Sequence, residues 1–246
     1  MPSLSTRIGF VALLLAVGTV FWLAQRSATE LHRFRTDDPE VWEPVIVGFE
    51  RDAAESPPPP ESVLFLGAAT IRFWDTLSED MAPLPAVGRG FGGAKVRDVL
   101  HYAERLLLPG VSAVVVSIGS NDLFDMAGSR PSTVDRVATN VETLLLRLRE
   151  LQPTVPVYYV GIRPPILDPN GRDPSSQVNA RIEAFAQRAP GISYIEANDG
   201  LYQASGRLED EYRSWNRSQL SREGYGVWSA WIRDRLLRDV PPPSAG

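Results

Sequence analysis

The feature that most constrains this chain is an alternation of short apolar runs with segments of helical period. Residues 62–66 form one such run, closed by Gly67, and residues 113–118 form another, ended by Gly119. Residues 155–160 and 192–195 read the same way. Between the first two runs, residues 94–107 place Val96, Val99, Leu100, Ala103, Leu106 and Leu107 at helical spacing. Pro131 is suited to the first turn of a helix that lines Val134, Val137, Val141, Leu144, Leu145 and Leu148 along one face. Helices are also predicted over residues 175–188 and 222–240. Short strands buried on both faces and alternating with helices predict an α/β domain, with a parallel sheet between two helical layers.

In open sheets of this kind, ligands bind beyond the carboxyl ends of the strands. The informative segments are therefore residues 67–70, 90–93, 119–122 and 215–225. The stretch Val-Leu-Phe-Leu-Gly-Ala-Ala-Thr-Ile-Arg-Phe-Trp at 63–74 resembles the first block of the SGNH/GDSL hydrolases, where a strand ends in Gly-Asp-Ser or Gly-Ser-Ser. Arg-Gly-Phe-Gly-Gly at 89–93 resembles the second block, and Gly-Ser-Asn-Asp at 119–122 the third. Leu-Ser-Arg-Glu-Gly-Tyr at 220–225 resembles the segment that follows the fifth block, Asp-x-x-His. The resemblance runs in order from about residue 61 to 240. It implies a flavodoxin-like three-layer α/β/α domain, the SGNH-hydrolase fold. It also implies acyl-transfer chemistry, in which serine attacks an ester, histidine takes its proton and aspartate orients the imidazole. Under this resemblance, Gly93 (backbone N–H) and Asn121 (side chain) would donate to the developing oxyanion.

The reacting groups themselves are missing. The nucleophile position is Ala69, which has no oxygen. Aligning residues 220–225 puts the histidine position at Gln219 and the aspartate position at Asn216. Glutamine is no base near neutral pH, and asparagine cannot balance an imidazolium. One inactivating change would explain Ala69 alone but not all three. The expectation is a domain with no intact triad that keeps Gly93 and Asn121 for a ligand, whether an acyl group, an acetylated glycan or a protein. The alternative is an active carboxylic-ester hydrolase or acyl transferase using a substitute nucleophile, Thr70 or Ser120. Asp122 is the remaining carboxylate nearest the predicted pocket, and the family habit assigns it a structural hydrogen bond. His101 shares a helix stripe with Arg97 and Arg105, opposite the apolar face, and His32 lies far from the sheet by chain position.

Other classes are disfavoured. With no cysteine there is no thiolate metal site, and no His/Asp/Glu cluster has ligand spacing, so neither metal nor cofactor is expected. Residues 90–93 lack the Lys-Ser/Thr of a phosphate-binding loop. A net charge of -5 with interleaved arginines and acids argues against nucleic acid.

Residues 8–24 carry no charge, and a helix of that length reaches about 25 Å, near the minimum for crossing a bilayer. Residues 1–26 are read as a single-pass anchor, with a cleaved signal peptide as the rival. Trp22 and Arg26 spoil the small-residue cleavage pattern. The family habit places the domain outside the cytoplasm, whereas Arg26, Arg33 and Arg35 favour the opposite topology. Residues 27–60 are read as a stalk ending in a stiff rod at 57–60 that spaces the domain from the membrane. The globular domain is set at 61–240 and a disordered tail at 241–246.

Overall fold

The computed structural model describes residues 17–19, 33, 36–123, 132–164, 173–203, 205–214 and 219–239. Five parallel strands, β1 (Val63–Gly67), β2 (Ala86–Gly90), β3 (Ala113–Ser117), β4 (Val157–Val160) and β5 (Ile192–Ile195), lie in the order β2-β1-β3-β4-β5. β1 is central. Its Gly67 faces Gly90 on one side and Ser117 on the other. This is the flavodoxin-like order, whose topological switch point lies between β1 and β3.

Side chains alternate across each strand and feed two cores. Leu64, Leu66, Val114, Val116 and Tyr159 face one layer; Val63, Phe65, Val115, Tyr158 and Val160 face the other. The first layer holds α1 (Glu43–Glu55), α4 (Val96–His101), α5 (Ala103–Leu106), α7 (Val134–Leu151) and α8 (Pro174–Ala186). The second holds α2 (Ala69–Arg72), α3 (Leu77–Asp80) and α9 (Arg222–Asp239). The short α6 (Ser120–Leu123) follows β3. The expected three-layer arrangement is therefore present. Each large aliphatic or aromatic side chain buried this way contributes about 1.5–3 kcal/mol.

Local signals explain the helix starts. The Thr133 hydroxyl accepts from the Arg136 N–H at 3.3 Å and opens α7. Asp173 accepts from the Ser176 N–H at 3.0 Å, with Pro174 at the first position of α8. Pro131 lies outside the described residues.

Three expectations change. The helix expected over 94–107 is interrupted at Tyr102 and becomes α4 and α5. β2 was not anticipated, because Ala86-Val87-Gly88-Arg89-Gly90 has no apolar run. The stalk reading fails where it can be checked. Trp42 and Ile46 are fully buried in the first core, with Trp42 packed on Phe91 at 5.3 Å between ring centroids. Arg105 pairs with Glu43 at 2.7 Å and Glu50 at 2.7 Å, and buried Arg89 donates to the Phe49 carbonyl. So α1 is part of the domain, and residues 57–60 join two elements of one folded unit rather than forming a spacer from a membrane.

No helix among the described residues is long and apolar enough to cross a membrane. The predicted anchor lies outside the described residues except for Val17–Thr19, which are helical and exposed. His32, Asn216 and the tail at 241–246 also lie outside them.

Candidate functional site

The site is assembled by glycines that let three loops approach one another. At Gly67 a Cβ would fall 2.2 Å from the Ser117 carbonyl oxygen, and at Gly90 it would fall 2.3 Å from the Arg72 nitrogen and 2.9 Å from the Ala68 oxygen. Only glycine permits both contacts, so the turn from β1 into α2 is wedged between the ends of β2 and β3. That turn sets half-buried Ala69 at the start of α2. A methyl group occupies the position that the resemblance gives to a nucleophilic hydroxyl.

The two predicted donor positions are brought together. The Phe91 N–H bonds the Gly67 carbonyl at 3.1 Å, and the Ala94 N–H closes a turn onto the Phe91 carbonyl at 3.1 Å. Gly93 has φ 89°, in the left-handed region that favours glycine. Asn121 Nδ2 donates to the carbonyl of the next residue, Ala94, at 2.9 Å. An amide nitrogen carries two hydrogens, and among the described residues the second has no hydrogen-bond acceptor.

Asp122 is buried, and its Oδ2 accepts from the Val96 N–H at 3.1 Å. It thereby pins the start of α4 to the β3 loop, the structural role expected of it. Burial pushes its carboxyl up to about 7, and nearby Asp98 adds to the rise, against the Val96 hydrogen bond. Asp98, which accepts from the Lys95 N–H at 2.8 Å, is also raised by burial.

Ser120 is exposed at the first position of α6, and Thr70 is half-buried next to Ala69. His101 is exposed at the far end of α4 from Val96, edge-on to Tyr102, and no base reaches Ala69 from it. Among the described residues, no group of three His, Cys, Asp or Glu side chains is placed to hold a metal ion.

The last block folds as a small antiparallel pairing. The Ser214 N–H donates to the Gln219 carbonyl at 3.0 Å, the Gln219 N–H donates to Ser214 Oγ at 3.2 Å, and Arg213 pairs with Leu220. Gln219 Oε1 is buried, with no hydrogen-bond partner among the described residues. α9 follows at once. From it the Tyr225 hydroxyl donates to the Thr70 carbonyl at 2.8 Å, and its ring stacks on Trp74 at 5.5 Å. The segment carrying Gln219 therefore lies at the same end of the sheet as Ala69.

One residue escaped the sequence reading. Arg163 follows β4 on a loop with heavily constrained backbone. Asn179 bonds the Ile162 N–H at 2.8 Å and its carbonyl at 2.9 Å; Asn198 donates to the Gly161 carbonyl at 3.2 Å; and Tyr202 donates to the Pro164 carbonyl. Arg163 is half-buried, and no carboxylate pairs with it among the described residues. Desolvation by burial pulls its guanidinium below its ordinary value, Arg213 acts in the same direction, and Tyr202 and Tyr225 oppose them. The available signal was its place just past a strand end.

The model of the GDSL-like lipase/acylhydrolase family matches residues 66–239. Among curated protein sequences, none matches the chain. A structure from Streptococcus pneumonia, described provisionally as a platelet activating factor, superimposes with a TM-score of 0.67 at 20% identity, over 79% of this chain and 92% of its own. A GDSL-like lipase from Bacteroides thetaiotaomicron gives a TM-score of 0.60 at 20% identity, over 79% of this chain and 100% of its own. A family 3 carbohydrate esterase from Clostridium thermocellum gives 0.58 at 15% identity, over 73% and 96%. At these identities the solved structures establish the fold.

Proposed function

The chain belongs to the GDSL-like lipase/acylhydrolase family, and on that premise we propose that it is a ligand-binding member without serine-hydrolase chemistry. The observation that carries this reading is Ala69 at the turn after β1. A methyl group offers no lone pair for attack on an ester, and Gln219 offers no base to activate a neighbour. On this reading the Gly93 N–H and the second amide hydrogen of Asn121, whose first is held by the Ala94 carbonyl, are the groups that would hold a carbonyl or acetyl oxygen. An acyl or acetylated-glycan ligand follows from relatives named as a lipase and a carbohydrate esterase; a protein partner presenting such a group fits equally. Residues 8–24 would anchor the domain to a membrane, with the domain on the extracytoplasmic side. Carbonate-resistant membrane association lost on deleting residues 1–26 is the expected result, and unchanged association would remove the anchor.

The competing reading is ester hydrolysis by Thr70, which shares the first turn of α2 with Ala69. Steady-state hydrolysis of p-nitrophenyl acetate by the full chain, beside an active family member, separates the two. No turnover supports the binding reading. Turnover abolished by Thr70→Ala or Ser120→Ala would replace it with a hydrolase.

A further inference from the structure

β2 is an edge strand, and its outer edge is recessed rather than bare. Val63 donates to the Pro85 carbonyl and Phe91 to the Gly67 carbonyl, so Val87 and Arg89 between them bond β1. In a parallel ladder the alternate residues, Ala86, Gly88 and Gly90, then turn their N–H and C=O groups to the open side. Among the described residues nothing bonds the outward groups of Gly88 and Gly90, although Gly90 is buried. Buried backbone groups are almost always paired. The two glycines face a cleft of about 390 Å³, a size that holds small ligands. Val45 and Phe49 of α1 form one wall, and Ile71, Trp74 and Leu77 form the other. The family match begins at residue 66, so the α1 wall lies outside it. The lining holds one charge, Arg72, and no carboxylate. The Arg72 guanidinium lies over the Phe73 ring at 5.4 Å and beside Gly92, where a Cβ would fall 3.1 Å from Nη1. Gly92 follows β2, so this cation stands past the carboxyl end of the strand.

We propose that this cleft takes the C-terminal segment of a partner protein as a sixth strand, added parallel to β2, with its terminal carboxylate on Arg72. The backbone of an extended peptide supplies the partners that Gly88 and Gly90 lack, and its alternate side chains meet the two apolar walls. Only the parallel direction brings a carboxyl end to the arginine; the antiparallel one would bring an N-terminal amine to a cation. A guanidinium suits a carboxylate because its planar fork meets two oxygens at once. An acyl chain would leave the backbone groups of the floor unpaired. A second copy's β2 would arrive between its own α1 and α2, which these walls obstruct. The cleft runs along the outer edge of β2 rather than at the turn carrying Ala69, so it stands whether or not ester chemistry is lost.

The test selects binders of the full chain from random heptapeptides displayed with a free C-terminus, then titrates the selected peptides by tryptophan fluorescence. Trp74, in the wall of the cleft, supplies the optical signal. The expected result is peptides that bind as free acids and weaken about ten- to a hundredfold as C-terminal amides, with the same loss on Arg72→Gln. Arg207→Gln, at an exposed arginine, should change nothing. N-methylation along the peptide should abolish binding at every second peptide bond, the period of a paired strand. Gly88→Pro, which removes an outward N–H, should abolish it as well. The acid–amide and N-methyl comparisons use the wild-type chain, so they decide even where Gly88→Pro fails to fold. No selected peptide, equal binding of acid and amide, or indifference to N-methylation overturns the proposal. Saturable palmitate binding with no peptide selected would give the cleft to acyl chains. Dimerisation, measured by light scattering and lost in Gly88→Pro, would give it to a second copy. Either of these results also overturns the proposal.

Discussion

The Tyr225 hydroxyl donates to the Thr70 carbonyl at 2.8 Å, joining residues 155 positions apart. It couples the last helix to the turn where an active relative would carry its nucleophile. Tyr225→Phe removes this bond and leaves the stack on Trp74. The expected loss is about 1 kcal/mol of stability by denaturant unfolding. A loss within error would mean that the turn is held by Gly67 and Gly90 alone.

Gly90 packs against backbone rather than side chain. Gly90→Ala would drive a methyl group to 2.3 Å from the Arg72 nitrogen. The expected cost is about 1–3 kcal/mol or more, because backbone cannot swing aside as a side chain can. An unchanged melting temperature would show that α2 can lift from β2 freely.

Trp42 is 1% exposed and packs on Phe91. Trp42→Ala is expected to lower stability by about 3–5 kcal/mol, and a fragment beginning at Glu61 is expected not to fold. A stable fragment from Glu61 would return α1 to the status of a stalk.

Asp122 makes stability depend on pH. Its carboxyl titrates near 7 in the fold against an ordinary value of 3.8, so across that window the folded state holds more protons than the unfolded state. Its contribution is complete below the lower value and is lost as pH rises through the upper, each unit being worth about 1.4 kcal/mol. Asp98 acts with the same sign; Lys95 and Arg97 oppose both. Asp122→Asn should flatten unfolding free energy between pH 4 and pH 7, and an unchanged slope would locate the effect elsewhere.

How far the fold could be read from residues depends on what each element buries. β1, β3 and β4 are buried on both faces, so apolar runs mark them, and β5, although an edge strand, is marked by buried Ile192 and Ile195. β2 is an edge strand whose glycines serve close approach to Ile71 and Arg72, which hides it from hydropathy. α1 buries Ile46 alone and the turn at Pro39–Trp42 before it buries Trp42, within a charged segment behind an apolar terminus, so the stretch reads as a tether. Ala69, Gly93 and Asn121 were legible because they sit in local motifs at strand ends. The loop after β4 was not, because Asn179, Asn198 and Tyr202, which fix its backbone, come from far along the chain.

On the proposed reading this member of the family lacks a serine-type nucleophile. The most direct measurement is fluorophosphonate labelling of the full chain, read by mass spectrometry, with an active relative as positive control. No adduct is expected on the wild-type chain, and no ester turnover from Ala69→Ser alone, since Gln219 cannot take the serine proton. An adduct on Thr70 or Ser120 of the wild-type chain would contradict that reading.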